Sequence, residues 1–335
     1  MTKILITGAS GFIGSFYVEA ALQKGWEVWA GVRKTSSTEY LTNPEIHFID
    51  LNYADAASLQ QQIEEHVAGH SKWDYVIHCA GITKSALNVD FERINHVFSQ
   101  NLIDALRISG NTPEKFVYMS SLAAFGPGDE VHYTPLKPED TPKPNSAYGR
   151  SKIQTERFLQ SLSDFPYIIL RPTGVYGPRE KDYYVMCKMV NTGLDVSVGR
   201  KPQMLNFIYI KDLVRVCFSA IELPLQNKVW FVADGDTYTS QSYTQILKEV
   251  LHKKHVLKIT FPLSLVKAVS VFAGLYCLVA KRPSLVNPDK IKIMEQRNWT
   301  CDTSSLEKDL GFKAEYNLRR GLEETVAWYK DHDWL

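Results

Sequence analysis

The segment Thr7-Gly8-Ala9-Ser10-Gly11-Phe12-Ile13-Gly14 follows the apolar run Lys3-Ile4-Leu5-Ile6-Thr7 and opens a stretch with helical apolar spacing over 12–24. Three glycines between a strand and a helix leave few folds open. The first permits a tight turn, the second lets the backbone approach a pyrophosphate, and the third lets the helix pack close to the strand. The helix N-terminus adds unpaired N–H groups and a partial positive charge. Gly8, Ser10, Gly11, Phe12, Ile13 and Gly14 are therefore expected to hold the pyrophosphate of a dinucleotide.

The rest of the first half repeats the same alternation. Strands are predicted at 3–7, 26–32, 46–49, 74–79, 115–120 and 166–171, and helices at 12–24, 55–68, 88–109 and 146–164. Val- and Ile-rich strands alternating with helices predict an α/β fold with a doubly wound parallel (Rossmann) sheet. A further strand-helix-strand at 205–210, 211–223 and 228–233 is expected to complete the sheet. Residues 1–175, with 205–235 returning to the sheet, form the expected dinucleotide domain. Residues 176–204 and 236–335 form a smaller, mostly helical substrate lobe. Pro135, Pro138, Pro142 and Pro144 rule out a helix there and predict an exposed loop.

Charge excludes some partners. Lys and Arg number 38 against 37 Asp and Glu, so no basic excess advertises nucleic acid. The five cysteines are odd in number and form no C-x-x-C pair, as expected of reduced thiols rather than a disulfide frame or a zinc site. No metal is expected. The chain opens on a strand pattern without a charged leader, so a cytoplasmic protein is expected. The apolar stretch 259–280 complicates this, because lysines and Arg282 flank it. Pro262 and Lys267 argue against a simple span. A buried or lid helix with Pro262 in its first turn is one reading, and contact with a membrane surface is another.

Tyr148 and Lys152 are four residues apart and share one helix face. An ammonium beside a phenol favours the phenolate and should draw the tyrosine down from ~10 toward the working range. The Tyr-x-x-x-Lys spacing occurs three times. Tyr133 and Lys137 enclose Pro135 and cannot pair on a helix. Tyr184 and Lys188 fall where the substrate lobe should begin.

Taken with its neighbours, the glycine spacing resembles the short-chain dehydrogenase/reductase superfamily in its extended, epimerase/dehydratase branch. The residues that carry the resemblance are Asp50-Leu51, His78-Cys79-Ala80-Gly81, Asn95, Ser120 to Gly126, Tyr148 to Lys152, Leu170 to Pro178 and Phe207 to Asp212. They run in family order along nearly the whole chain. The resemblance implies a nicotinamide cofactor and a Ser121, Tyr148, Lys152 catalytic group. Ser121 is chosen over Ser120 because it stands five residues before Gly126. The resemblance also implies cofactor contacts from Asp50, Leu51, Cys79, Ala80, Gly81, Asn95, Pro172, Thr173 and Val175. Substrate contacts are expected from Thr83, Ser121, Phe125, Tyr148 and Tyr176. A homodimer through 88–109 and 146–164 is implied as well. His78 is read as a packing residue, because no second ligand lies at metal spacing.

Cofactor form and substrate follow from departures within that pattern. An acidic residue after the second strand would accept a ribose 2′-hydroxyl; here Arg33 and Lys34 stand there, and an arginine fork suits a 2′-phosphate. NADP is expected over NAD. Leu205-Asn206 replace the Arg-Asp of sugar-nucleotide enzymes, Leu122-Ala123 replace a dehydratase's acidic pair, and Arg297-Asn298-Trp299 only loosely resembles a late Arg-x-Pro-Gly-Asp element. The cofactor end resembles dihydroflavonol-type reductases, and 259–280 resembles the lobe of hydroxysteroid and sterol dehydrogenases. The expected activity is NADPH-linked reduction of a bulky apolar ketone, such as a 3-keto sphingolipid, a ceramide precursor or a sterol-like molecule. The alternatives are a nucleotide-sugar epimerase or 4-reductase that retains NAD, and a non-catalytic cofactor-sensing protein.

Overall fold

All six apolar runs of the first half become strands in the computed structural model, which describes residues 1–85, 87–199, 201–269 and 288–335. They are β1 (Lys3–Thr7), β2 (Glu27–Gly31), β3 (His47–Ile49), β4 (Tyr75–His78), β5 (Lys115–Met119) and β6 (Tyr167–Pro172). The strand Lys228–Val232 adds a seventh, giving the order Lys228–Val232, β6, β5, β4, β1, β2, β3. Every pairing is parallel. The order reverses between β1 and β4, the topological switch point of a doubly wound sheet, where ligands bind outside the carboxyl ends of the strands.

Strand alternation divides the core between the two faces. Ile4, Ile6, Val117 and Met119 pack into one cluster, while Leu5, Phe116 and Tyr118 pack into the other. The helices start where polar caps permit. Asp55 accepts from Ser58 N–H before Ala56–His70, and Ser146 accepts from Gly149 N–H before Ala147–Ser161.

Three expectations need correction. The run 205–210 is not one strand of the main sheet. Met204–Leu205 joins Tyr238–Thr239 and Asn298–Trp299, whereas Phe207–Tyr209 pairs with Gly174–Tyr176. Buried Asn206 divides them, because its amide donates to Asp236 O and accepts from Cys301 N–H. The described part of the substrate side is mostly helical, but it also holds a parallel strand pair, Leu194–Val198 with Leu257–Phe261. The stretch 259–280 therefore begins in a strand, and helical residues 263–269 follow Pro262, whose carbonyl accepts from Leu265 and Val266 N–H. Lys267 pairs with Glu295 at 2.6 Å. Residues 270–280 lie outside the described residues, and among those described no helix is long and apolar enough to cross a membrane. The predicted helix 88–109 is also interrupted: Asn88–Phe91 and Phe98–Ile108 flank a π-helical turn, Glu92–Val97, which carries Asn95.

His78, at the end of β4, is buried. Its Nδ1 lies 2.7 Å from Thr7 Oγ1 and its Nε2 2.8 Å from Ser99 Oγ, with the ring stacked on Tyr118. Burial pushes it down to about 3, with Lys152 adding to the effect. A group depressed in the folded state is fully stabilising above its unfolded value of 6.5, and that contribution is lost as pH falls. By pH 5, His78 should have removed about 2 kcal/mol of stability. Buried His66, pushed down to about 4 mainly by desolvation, acts in the same direction. Urea melts of wild type and His78→Gln at pH 7.5 and 5 test this. The variant should show the shallower pH dependence, and parallel slopes would remove His78 as a cause.

Candidate active site

The carboxyl ends of β1, β4, β5 and β6 open into a cleft of about 1030 Å³. After β1, Gly8 takes φ +65, and a Cβ there would come within 2.8 Å of Ala80 N. A Cβ on Gly14 would run into the Gly8 carbonyl. Only glycine permits this approach of strand, turn and helix. The helix α1 (Phe12–Gln23) starts at Gly11 with no side-chain cap, and Gly11, Phe12, Ile13 and Gly14 line the cleft. The cradle fits a pyrophosphate on the helix N-terminus.

From the neighbouring strand ends, Cys79, Gly81 and Thr83 line the same cleft, as do Pro172, Thr173 and Val175. Tyr148 and Lys152 enter it from the first two turns of Ala147–Ser161, and Ser121 enters from the end of β5. The Ser121 hydroxyl hydrogen-bonds Tyr148. Lys152 Nζ donates to Met119 O at 2.8 Å and lies 5.9 Å from the centre of the Tyr148 ring. Ser120 also lines the cleft, but its hydroxyl donates to Glu156.

The electrostatics differ from the sequence-based expectation. Burial pushes Tyr148 up to about 12, while the Ser121 hydrogen bond pulls weakly the other way. Burial pushes Lys152 down to about 8, opposed by Cys79 and Glu156. For both groups desolvation is the largest cause, so burial decides the direction of each shift. At neutral pH the tyrosine is a protonated acid.

Several expected contacts stand elsewhere. Asn95 is fully buried and braces the backbone, accepting from Ile82 N–H at 2.7 Å and donating to Ile82 O and Ser151 Oγ. Leu51 is buried in the core beneath the sheet. Ala80 N–H donates to Thr7 Oγ1, and Ser10 is half-buried outside the cleft lining. Arg33 and Lys34 are exposed after β2, where Asp50 accepts from Lys34 N–H at 3.1 Å. Two expected substrate contacts are core residues. Phe125 packs edge-on against Phe231 beneath the Arg171 guanidinium. Tyr176 is fully buried, with its hydroxyl donating to Asn317 O and its ring against Gly321.

Other residues were missed. Arg171, next to the carboxyl end of the buried strand β6, forms an ion pair with Glu156, Nη2 to Oε2 at 2.6 Å and Nε to Oε2 at 3.0 Å. A lone cation in the apolar run Tyr167–Pro172, and a carboxylate four residues after Lys152, were the available signals. The helix Lys181–Asn191 supplies Asp182, Tyr183, Val185 and Met186 to the cleft wall, and Val196, Val198, Leu205 and Met294 continue it. Among the described residues no group of three histidine, cysteine or acidic side chains could hold a metal ion.

The pattern of the NAD dependent epimerase/dehydratase family matches residues 4–233. A ceramide reductase of Caulobacter vibrioides is 23% identical over 337 residues, covering 99% of this chain and 96% of its own. A decarboxylating sterol-4-alpha-carboxylate 3-dehydrogenase of Dictyostelium discoideum is 23% identical, covering 97% and 100%. The crystal structure of UDP-glucose 4-epimerase with UDP-glucose from Thermotoga maritima superposes with a TM-score of 0.79 at 22% identity, covering 99% of each chain. The glycine cradle, the seven-stranded parallel sheet and this match agree: the chain is an enzyme of nicotinamide-dependent oxidoreductase chemistry and belongs to the NAD dependent epimerase/dehydratase family.

Proposed function

We propose that the protein uses NADP(H) to reduce a carbonyl, or oxidise the corresponding alcohol, on a bulky apolar substrate such as a 3-keto sphingolipid, a ceramide-type ketone or a sterol-like ketone. The carrying observation is the cleft itself: Ser121, Tyr148 and Lys152 stand in a space whose lining includes the apolar set Val185, Met186, Val196, Val198, Leu205 and Met294, interspersed with polar residues such as Asp182, Lys201, Gln203 and Lys258. The apolar part of that lining gains about 25 cal/mol for each Å² of apolar substrate it covers. The two lipid-acting relatives support this reading. The division into a dinucleotide domain and a substrate lobe belongs to the same proposal, since the wall residues come from 176–204 and from the chain after 236, with Leu205 at the junction.

NADPH, when bound, would supply the hydride to the carbonyl carbon. Tyr148 Oη donates the proton to the carbonyl oxygen, and Ser121 Oγ hydrogen-bonds that oxygen as charge develops on it. Lys152 would bond the nicotinamide ribose and stabilise the phenolate left behind. Arg33, exposed after β2, is the residue for the 2′-phosphate.

A second reading is an epimerase or 4-reductase that retains NAD. Its support is the likeness to the Thermotoga epimerase and the presence of Arg297 in the cleft lining. The intact Tyr148 and Lys152 argue against a purely cofactor-sensing role. A thermal-shift screen separates the readings, because a ligand of the native state stabilises it by RT ln(1 + [L]/Kd). NADPH and keto-lipids should raise the midpoint, and NADPH oxidation should follow addition of the ketone. Stabilisation by UDP-sugars with tightly co-purifying NAD would overturn the lipid reading.

A further inference from the structure

Arg179 has φ 73, in the left-handed region; its side chain is 13% exposed, and it is not among the residues that line the cleft. It lies between two aromatic rings, 4.4 Å from the centre of Phe16 and 4.5 Å from that of Tyr40. Its Nη1 donates to Ser15 Oγ at 3.0 Å, and its Nη2 pairs with Glu19 at 2.5 Å. Nε finds no acceptor among the described residues, so the stacked geometry is held against that cost. Phe16, Ser15 and Glu19 belong to α1, the helix that receives the pyrophosphate. Tyr40 belongs to the loop after β2, and the Trp328 ring meets it edge-on at 6.4 Å.

That loop carries Arg33. Two successive turns join Arg33 to Tyr40, closed by Ser36 N–H to Arg33 O and Leu41 N–H to Thr38 O, each 2.8 Å. Leu41 is buried in the core. On its other side, Arg179 precedes Glu180, whose carboxylate accepts from Asp182 and Tyr183 N–H and starts the helix that forms the substrate wall. One side chain thus spans the pyrophosphate helix, the loop at the cofactor's ribose end and the first element of the substrate lobe.

We infer that Arg179 is a positioning residue for cofactor choice: it fixes the Arg33–Tyr40 loop, and thereby the cation that meets the 2′-phosphate, from the substrate side of the cleft. This rests on the reading that Arg33 meets that phosphate. A planar guanidinium stacked between two rings restrains a loop in a way that methionine or lysine does not.

Titration of NADPH and of NADH into the whole protein, read by nucleotide fluorescence, tests this without any substrate. In Arg179→Met, the Kd for NADPH should rise about tenfold, the loss of one charge-assisted bond, while that for NADH changes less than about twofold. Tyr40→Leu, on the partly exposed loop, should reproduce the loss, and Tyr40→Phe, which keeps the ring, should restore discrimination. The double variant Arg179→Met/Tyr40→Leu should be no worse than either single one. A wild type that prefers NADPH together with variants that keep the preference overturns the role of Arg179 alone. Equal weakening of both nucleotides also overturns it, because a purely structural defect would act that way. A wild type that binds the two alike overturns the 2′-phosphate reading and this inference with it.

Discussion

Tyr148→Phe is expected to slow carbonyl reduction by about 10²–10⁴-fold, the usual worth of a positioned general acid. NADPH affinity should stay within about twofold, because the hydroxyl acts on the reacting oxygen rather than on the dinucleotide. The reasoning starts from burial. Desolvation holds the Tyr148 phenol up to about 12, so at pH 7 it carries its proton and can donate without prior ionisation. The same desolvation holds Lys152 down to about 8, so its ammonium is lost as pH rises through that value. The phenolate formed by donation then lacks its counter-charge. Reduction by wild type should therefore be level below pH 8 and decline above it. Single-turnover NADPH oxidation, followed at 340 nm (~) from pH 6 to 9.5 (~), checks both statements. Turnover by Tyr148→Phe within about fivefold of wild type would give the proton to another group and sink the assignment.

The parts of the site that sequence could reach are those where one residue type meets one backbone demand. Gly8 was legible because φ +65 beside the Ala80 backbone excludes a side chain. Tyr148 and Lys152 were legible because helical spacing puts both on one face and Ser146 caps that helix. Ser121 could be chosen over Ser120 only through the resemblance, and the hydrogen bond from Ser120 to Glu156 now supplies a physical reason.

Failures arose where neighbours along the chain part company in space. Val175 and Tyr176 are consecutive in one strand, so one side chain reaches the cleft and the other the core. Phe125 follows the single turn Leu122–Ala124, which carries the chain from the cleft into a cluster with Phe231 and Trp299. The signs of the pKa shifts were equally out of reach. Desolvation is the largest cause of both, and burial is set by packing that the spacing of Tyr148 and Lys152 does not display. The cleft wall was illegible for the same reason. Its strands Leu194–Val198 and Leu257–Phe261 are short, mixed in polarity and defined only by pairing with each other.

The pair between Glu156 and Arg171 carries the largest expected effect on stability. Both side chains are nearly or wholly out of water, at 0% and 8% exposure, so neither charge has solvent to fall back on if its partner is removed. Glu156→Gln leaves the guanidinium between Phe125 and Phe231 without a counter-charge, and Arg171→Met leaves a buried carboxylate that keeps the Ser120 hydroxyl but loses its ion-pair partner. Breaking a buried pair from one side costs about 3–5 kcal/mol. Replacing both partners by apolar side chains of similar volume is far less harmful, because it also removes the desolvation penalty. Glu156→Leu/Arg171→Met should therefore be more stable than either single variant in urea unfolding. The pair also ties the Ala147–Ser161 helix to β6, with Ser120 of the β5 end hydrogen-bonded into it. Tyr148 is on that helix and Ser121 adjoins Ser120, so the apolar double variant should fold yet lose kcat, as the two hydroxyls lose their common anchor. A single variant within about 1 kcal/mol of wild type would mean that water reaches the pair, and that the anchor lies elsewhere.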